Sequence, residues 1–197
     1  VKRNGRLYGF NTDMDGLLLA VQDQGSRYKN SRITVLGTGG AAVGVAHKAA
    51  DEGAAEIRIH GRRQSAVEEA ARVVDGKVPV HQGSLDPASL RRSAASCDLL
   101  INTLPLETTG VGGGYDTSFL EHLPKHALVV DMVYSPPLTA LLREAKALDL
   151  KVLNGLPMLI YQAILADERY LGRVLDRTAF YKIIASALQA RQKEFAV

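Results

Sequence analysis

The sequence has no tryptophan, only four phenylalanines and a single cysteine among 197 residues. One cysteine excludes an intrachain disulfide framework, and Cys97 suits a reducing compartment. No apolar run approaches the ~18 residues a membrane span needs, and no secretory leader opens the chain. A cytoplasmic protein with no membrane partner is expected. A dominant charge is lacking too. Twenty-four Lys and Arg stand against 21 Asp and Glu, a net charge of +3, with both signs mixed along the chain. No long basic block and no aromatic-rich basic face is present, which argues against a nucleic-acid partner. Internal repeats and low-complexity linkers are absent as well. What remains is 46% apolar and 23% charged residues, the balance of a folded globular chain. The length fits one domain, or one domain with a helical appendage.

Apolar periodicity alternates between two kinds of segment. Strands are expected at 32–37, 56–61, 77–82, 98–104, 127–134 and 151–155. Pro79 marks the third as an edge strand. Helices are expected at 14–24, 41–53, 65–74, 87–94, 138–149, 156–171 and 175–194. Gly53 should close the second of these, and Ser65 should cap the third. Strands alternating with helices imply parallel pairing through right-handed crossovers. The expected fold is a Rossmann-like, doubly wound α/β domain with a mainly parallel sheet, helices on both faces and C-terminal helices packed alongside. "TTGVGGGYD" (108–116) reads as a flexible surface loop beside the site.

"VLGTGGAA" places Gly37, Gly39 and Ala42 in a G-x-G-x-x-(G/A) pattern between a strand and a helix. Gly37 allows a tight turn, Gly39 leaves room for a pyrophosphate, and Ala42 lets the helix lie close to the sheet. Backbone amides at the helix start then face the anion. The same loop without a ligand is a plain strand–helix turn. After the second strand, NAD-binding domains usually carry an Asp or Glu for the ribose hydroxyls. Here "HGRRQS" (60–65) has no carboxylate. Arg62 and Arg63 can instead make charge-assisted bonds to a 2′-phosphate, which favours NADP. Arginine pairs on loops are also often merely solvated.

"GRLYGFNTDMDG", "VLGTGGAA", "INTLPL" and "VVDMVYSPPLTALLREAKALDLKVLNGLPMLIYQA", in this order, resemble the shikimate dehydrogenase family from about Gly5 to Gly172. "NTD..G" and "G.PML..Q" are the most specific parts. The resemblance implies an NADP-linked oxidoreductase that interconverts 3-dehydroshikimate and shikimate in aromatic amino-acid biosynthesis. Related enzymes act on quinate, some with NAD. Asp13 matches the family's catalytic aspartate, which pairs with a lysine at the reacting hydroxyl. Tyr134 and Gln162 match substrate contacts. Met132 and Gly155 match positions bordering the nicotinamide. Gly37, Thr38, Gly39, Gly40 and Ala41 match the pyrophosphate loop, and Gly61 to Ala66, with Arg62 and Arg63, match the adenosine-phosphate loop. "NTLPLE" departs from the family's "NATPLG" loop, at Leu104 and Glu107 among its positions.

A Lys–Asp pair can relay the proton that carbonyl reduction requires. Read from its residues alone, however, "NTDMDGLLLAV" opens a helix with Asn11, Thr12 or Asp13 as cap. Gln162 alone is a polar residue on a half-buried helix, and Tyr134 a core aromatic with a wet hydroxyl. The family's lysine motif and its carboxylate-binding serines lie in an N-terminal domain, and neither occurs here. Val1 is therefore expected to lie at a cut in an inter-domain connection, with the missing domain supplied in cis or in trans. Residues 1–24 would be connection and first helix, 25–155 the NADP-binding domain, and 156–197 the C-terminal helices. Alone, the chain should bind dinucleotide and catalyse poorly. The alternatives are a stand-alone dinucleotide-binding module, or a quinate/shikimate enzyme using NAD.

Overall fold

The computed structural model describes residues 1–74, 76–105 and 116–194. In chain order, the hairpin β1 (Lys2–Arg3) and β2 (Arg6–Leu7) precedes α1 (Asp13–Asp23). Next come β3 (Arg32–Leu36), α2 (Gly40–Asp51), β4 (Glu56–Gly61), α3 (Gln64–Arg72), β5 (Val80–Ser84), α4 (Pro87–Ala94) and β6 (Leu99–Asn102). A 3₁₀ turn at Ser118–His122 leads to β7 (Leu128–Asp131), α5 (Ala140–Ala147) and β8 (Lys151–Leu153). The helices α6 (Leu156–Leu171) and α7 (Arg177–Glu194) follow. The chain divides into two compact units, one of Val1–Ala20 with Pro157–Val197, the other of Val21–Leu156.

The larger unit holds a six-stranded parallel sheet in the order β5-β4-β3-β6-β7-β8. The chain winds outward from β3 to β5, then returns to start again at β6 and winds the other way. This is the expected Rossmann-like topology. The reversal between β3 and β6 opens a crevice at the carboxyl ends of the strands. The central strands are apolar on both faces, as strands covered by helices must be: Ile33, Val35, Leu36, Leu99, Leu100, Ile101, Leu128, Val129 and Val130 are all buried. On one face Leu36, Leu100 and Val129 join Leu90, Phe119, Leu120 and Leu142 in a single cluster. Each such side chain contributes about 1.5–3 kcal/mol through burial.

Pairing register aligns His60, Leu36, Asn102 and Asp131 across β4, β3, β6 and β7. Partners in register point to the same face. This row therefore lies on the face where that apolar cluster packs, at the carboxyl ends of the strands, and three of its four residues are polar.

Several element ends differ from those expected. The third strand of the sheet runs over 80–84, not 77–82: Pro79 stands outside it, and the Pro79 carbonyl accepts from the Ile57 amide. It is an edge strand, as Pro79 suggested. Ser65 does not cap α3. The helix starts at Gln64, with extended Arg63 in the cap position and no capping side chain. β7 stops at Asp131, whose carboxylate accepts from the Val133 amide and turns the chain off the ladder. Gly53 does follow the end of α2, with φ +76°. The N-terminal hairpin is an addition. Its signal is Asn4–Gly5, with φ of +48° and +77°, the residue pair that a type I′ turn favours. Residues 108–115 of the expected loop lie outside the described residues. Among the described residues, no helix is long and apolar enough to cross a membrane.

Candidate dinucleotide-binding site

The glycine loop joins β3 to α2 at the switch point. Its two key glycines are required for opposite reasons. Gly37 has φ +121°, and a Cβ there would stand 2.2 Å from Thr103 Oγ1. Its amide also donates to the His60 carbonyl at 2.8 Å. The fold itself demands glycine at this position. Gly39 has φ −78°, and a Cβ there, or at Gly40, would meet nothing within 4 Å. Among the described residues, no group competes for that space. The first amides of α2, at Gly40 and Ala41, begin a 12-residue helix and carry its positive end.

Gly37, Thr38 and Gly39 line a cavity of about 520 Å³ together with Gly61, Arg62, Arg63, Leu85, Thr103, Leu104 and Pro105. That volume falls in the range of small-molecule sites. The lining comes from the carboxyl ends of β3, β4, β5 and β6, so the cavity is the crevice that the topology predicts. Gly61 has its own packing reason, since a Cβ there would lie 2.6 Å from Thr38 Cγ2 and 2.9 Å from Val67 Cγ2. Arg62 and Arg63 are exposed, and among the described residues neither guanidinium has a hydrogen-bond or ion-pair partner. Among the described residues, the cavity rim thus carries two free cations and no carboxylate.

Beneath them lies a polar cluster absent from the sequence reading. His60 is buried, with Nδ1 2.8 Å from the Ser84 carbonyl and Nε2 2.8 Å from Ser93 Oγ. A carbonyl only accepts, so Nδ1 carries the proton and Nε2 accepts from the Ser93 hydroxyl. Burial pushes the His60 pKa down, and the nearby Arg58 and Arg92 charges act in the same direction. The Ser84 carbonyl and Asp86 oppose them. The ring is held neutral and fixes the end of β4 against α4.

Met132 and Gly155 belong to the same unit, beyond the ends of β7 and β8. A Cβ at Gly155 would lie 2.0 Å from the Met132 carbonyl oxygen, and the Gly155 amide donates to the Val133 carbonyl at 3.0 Å. Only glycine fits so close an approach. Tyr134 follows on the surface, 48% exposed, rather than in the core.

Asp13 and Gln162 belong to the smaller unit. Asn11 Oδ1 accepts from the Asp13 amide at 2.9 Å. The helix start is therefore served by Asn11, and the Asp13 side chain is not needed as a cap. Asp13 is exposed, and no described residue hydrogen-bonds to its carboxylate. One turn on, α1 and α6 touch backbone to backbone: a Cβ at Gly16 would stand 2.7 Å from the Gln162 amide nitrogen and 2.9 Å from the Met158 carbonyl oxygen. Gly16 therefore sets the α1–α6 approach that brings the Asp13 and Gln162 segments side by side. Gln162 Nε2 itself donates to the Leu159 carbonyl at 3.1 Å.

The strand order, glycine loop and rim define a dinucleotide-binding domain. No protein-family model matches the chain. Over 179 residues it is 40% identical to a shikimate dehydrogenase (NADP(+)) of Symbiobacterium thermophilum, covering 88% of this chain and 60% of that relative. It superposes with a TM-score of 0.84 on a shikimate 5-dehydrogenase of Listeria monocytogenes, solved with shikimate and NAD, at 25% identity over 93% of this chain and 66% of that one. A 5-ketofructose reductase of a Gluconobacter strain aligns at TM-score 0.79 and 29% identity, over 94% and 66%. Over most of its own length the chain is thus similar to shikimate dehydrogenases, and it spans about 60% of the length of the first curated relative it matches.

Proposed function

We propose that this chain binds NADP(H) in the cavity at the carboxyl rim and forms the cofactor-binding part of an enzyme that interconverts 3-dehydroshikimate and shikimate. The observation that carries the cofactor assignment is the rim itself. Arg62 and Arg63 stand without a partner among the described residues, where a ribose-binding carboxylate would repel a 2′-phosphate. The open space at Gly39 and Gly40 leaves room for a pyrophosphate against the start of α2. Met132 and Gly155 would border the nicotinamide. When bound, the cofactor supplies or accepts the hydride.

The substrate assignment rests on the relatives. In this reading Tyr134 and Gln162 hydrogen-bond substrate, and Asp13 holds a proton-relaying lysine contributed from outside these 197 residues. Among the described residues nothing occupies the Asp13 carboxylate, which leaves it open to such a partner. Residues 1–24 connect to a substrate-binding part, 25–155 hold the cofactor, and 156–197 carry Gln162. Turnover then requires that further part, in cis or in trans. A reducing cytoplasm suits the buried Cys97 thiol.

Kinetics on the complete enzyme test this. NADP+ reduction by shikimate is expected, and Asp13→Asn should lower turnover by ~10²–10⁴ while leaving NADP affinity unchanged. Undiminished turnover in that variant would remove Asp13 from catalysis. Activity with 5-ketofructose and none with shikimate would overturn the substrate. Full activity from the 197 residues alone would overturn the division of labour.

A further inference from the structure

The row His60–Leu36–Asn102–Asp131 ends, on the β7 side, in a second buried polar cluster. Asn102 and Asp131 are each 2% exposed and Thr139 is fully buried. Asp131 Oδ1 accepts from Asn102 Nδ2 at 3.0 Å and from the Val133 amide at 3.1 Å, and Oδ2 accepts from Thr139 Oγ1 at 2.7 Å. Asn102 in turn clasps the cavity loop. Its Nδ2 donates to the Leu104 carbonyl at 3.2 Å and its Oδ1 accepts from the Leu104 amide at 3.3 Å. Thr139 caps α5, accepting from the Leu142 amide.

We infer that Asn102, Asp131 and Thr139 are positioning residues for the nicotinamide half of the cofactor site. The inference rests on the dinucleotide reading above. Three backbone segments converge on this cluster: the Leu104 loop that lines the cavity, the Met132–Val133 turn against which Gly155 packs, and the start of α5. A buried polar group is costly unless satisfied, so a network of this kind holds one arrangement in preference to others. In a doubly wound sheet the two mononucleotide halves lie on either side of the switch point. The glycine loop and Arg62 serve the β3–β4–β5 side. The cluster underlies the β6–β7–β8 side and reaches the shared cavity only through the Leu104 backbone. None of its members lines the cavity, so it acts by fixing Leu104 and Met132 rather than by touching ligand.

Two probes separate the halves. 2′,5′-ADP occupies only the adenosine side, whereas NADPH reports on its nicotinamide through its own fluorescence. Wild-type chain is expected to bind both and to enhance NADPH emission. Thr139→Val removes the hydroxyl at nearly constant shape. It should lose most of that enhancement and at least fivefold in NADPH affinity, with 2′,5′-ADP affinity unchanged. Thr139→Ser, which keeps the hydroxyl, should behave as wild type. Asn102→Ala serves as the second variant if Thr139→Val does not fold, with the same split expected. Equal losses for both probes, no loss for either, or a wild-type complex without enhancement would overturn the inference. A wild-type chain that binds neither probe would instead overturn the dinucleotide reading.

Discussion

On the β4 side, the rim of the sheet presents two exposed guanidiniums above a neutral histidine. On the β7 side, it rests on a buried carboxylate surrounded by an amide, a backbone N–H and a hydroxyl. Both polar groups sit in one register row, separated by Leu36 and Asn102. Both are anchored to a helix on the same face, His60 to Ser93 of α4 and Asp131 to Thr139 before α5. The difference lies in what stands above them. The β4 side keeps its charge outside, free to meet an anion. The β7 side turns its polarity inward and ends in half-buried Met132 packed over buried Gly155. A ligand with an anionic end and a flat, neutral-to-cationic end matches that division.

The sharpest break in the comparison is between the glycines that join the two halves. Gly37→Ala would combine a strained φ with a clash against Thr103, and should destabilise the fold by about 3 kcal/mol or more. Thermal denaturation would show it. Gly39→Val meets no atom of the described residues, so its midpoint should stay within a degree or two. NADP affinity should fall at least ~tenfold, about 1.4 kcal/mol, because the side chain fills the ligand's space. A loss of stability at Gly39, or none at Gly37, would reverse the assignment of fold to one glycine and ligand to the other.

The His60 side can be tested by pH. Above the ordinary histidine value of 6.5 the ring is neutral in both folded and unfolded chains. Below it, the unfolded chain takes up a proton that the buried ring resists. Stability should therefore fall as pH drops from 6.5 toward the lower folded pKa, by at most ~1.4 kcal/mol per pH unit, and level off beneath it. The carboxylates Asp51, Asp86 and Glu168, lowered by their partners, lose their contribution only as pH falls through and below their ordinary values of 3.8 to 4.5, well under the start of that window. Urea denaturation across this range, on wild type and His60→Gln, isolates the effect. An unchanged slope in the variant would remove His60 as its source.

Tyr28 is the contrast to both clusters. Its hydroxyl is buried with no hydrogen-bond partner among the described residues, and burial pushes its pKa up. Tyr28→Phe should leave stability unchanged or raise it by up to ~1 kcal/mol. A loss beyond that would mean the hydroxyl is satisfied after all.

The sequence made the glycine loop and the Arg62–Arg63 pair legible because both are local: a few adjacent residues define them. The alternation of strands and helices was legible for the same reason. The polar row was not. His60 and Ser93 are 33 residues apart and Asn102 and Asp131 are 29, and only strand order brings them together. Ser65 looked like a cap because its type caps well, but the chain turned one residue too early for it. Asp13 and Asn11 are both good caps by type. The helix start distinguishes them, and it leaves the Asp13 carboxylate free. Gly61 and Gly155 stood out through family resemblance. The structure adds a steric reason for each, against Thr38 and Val67 in one case and the Met132 backbone in the other.

Calorimetric titration of the 197-residue chain with NADP+ and NAD+, in wild type and in Arg62→Ala/Arg63→Ala, tests the central claim most directly. Wild type should favour NADP+ by ~1.5–3 kcal/mol, the range of hydrogen bonds to charged groups. The double variant should lose that margin while its NAD+ affinity stays nearly unchanged. Equal affinity of wild type for the two cofactors, or a preference for NAD+, would contradict the account.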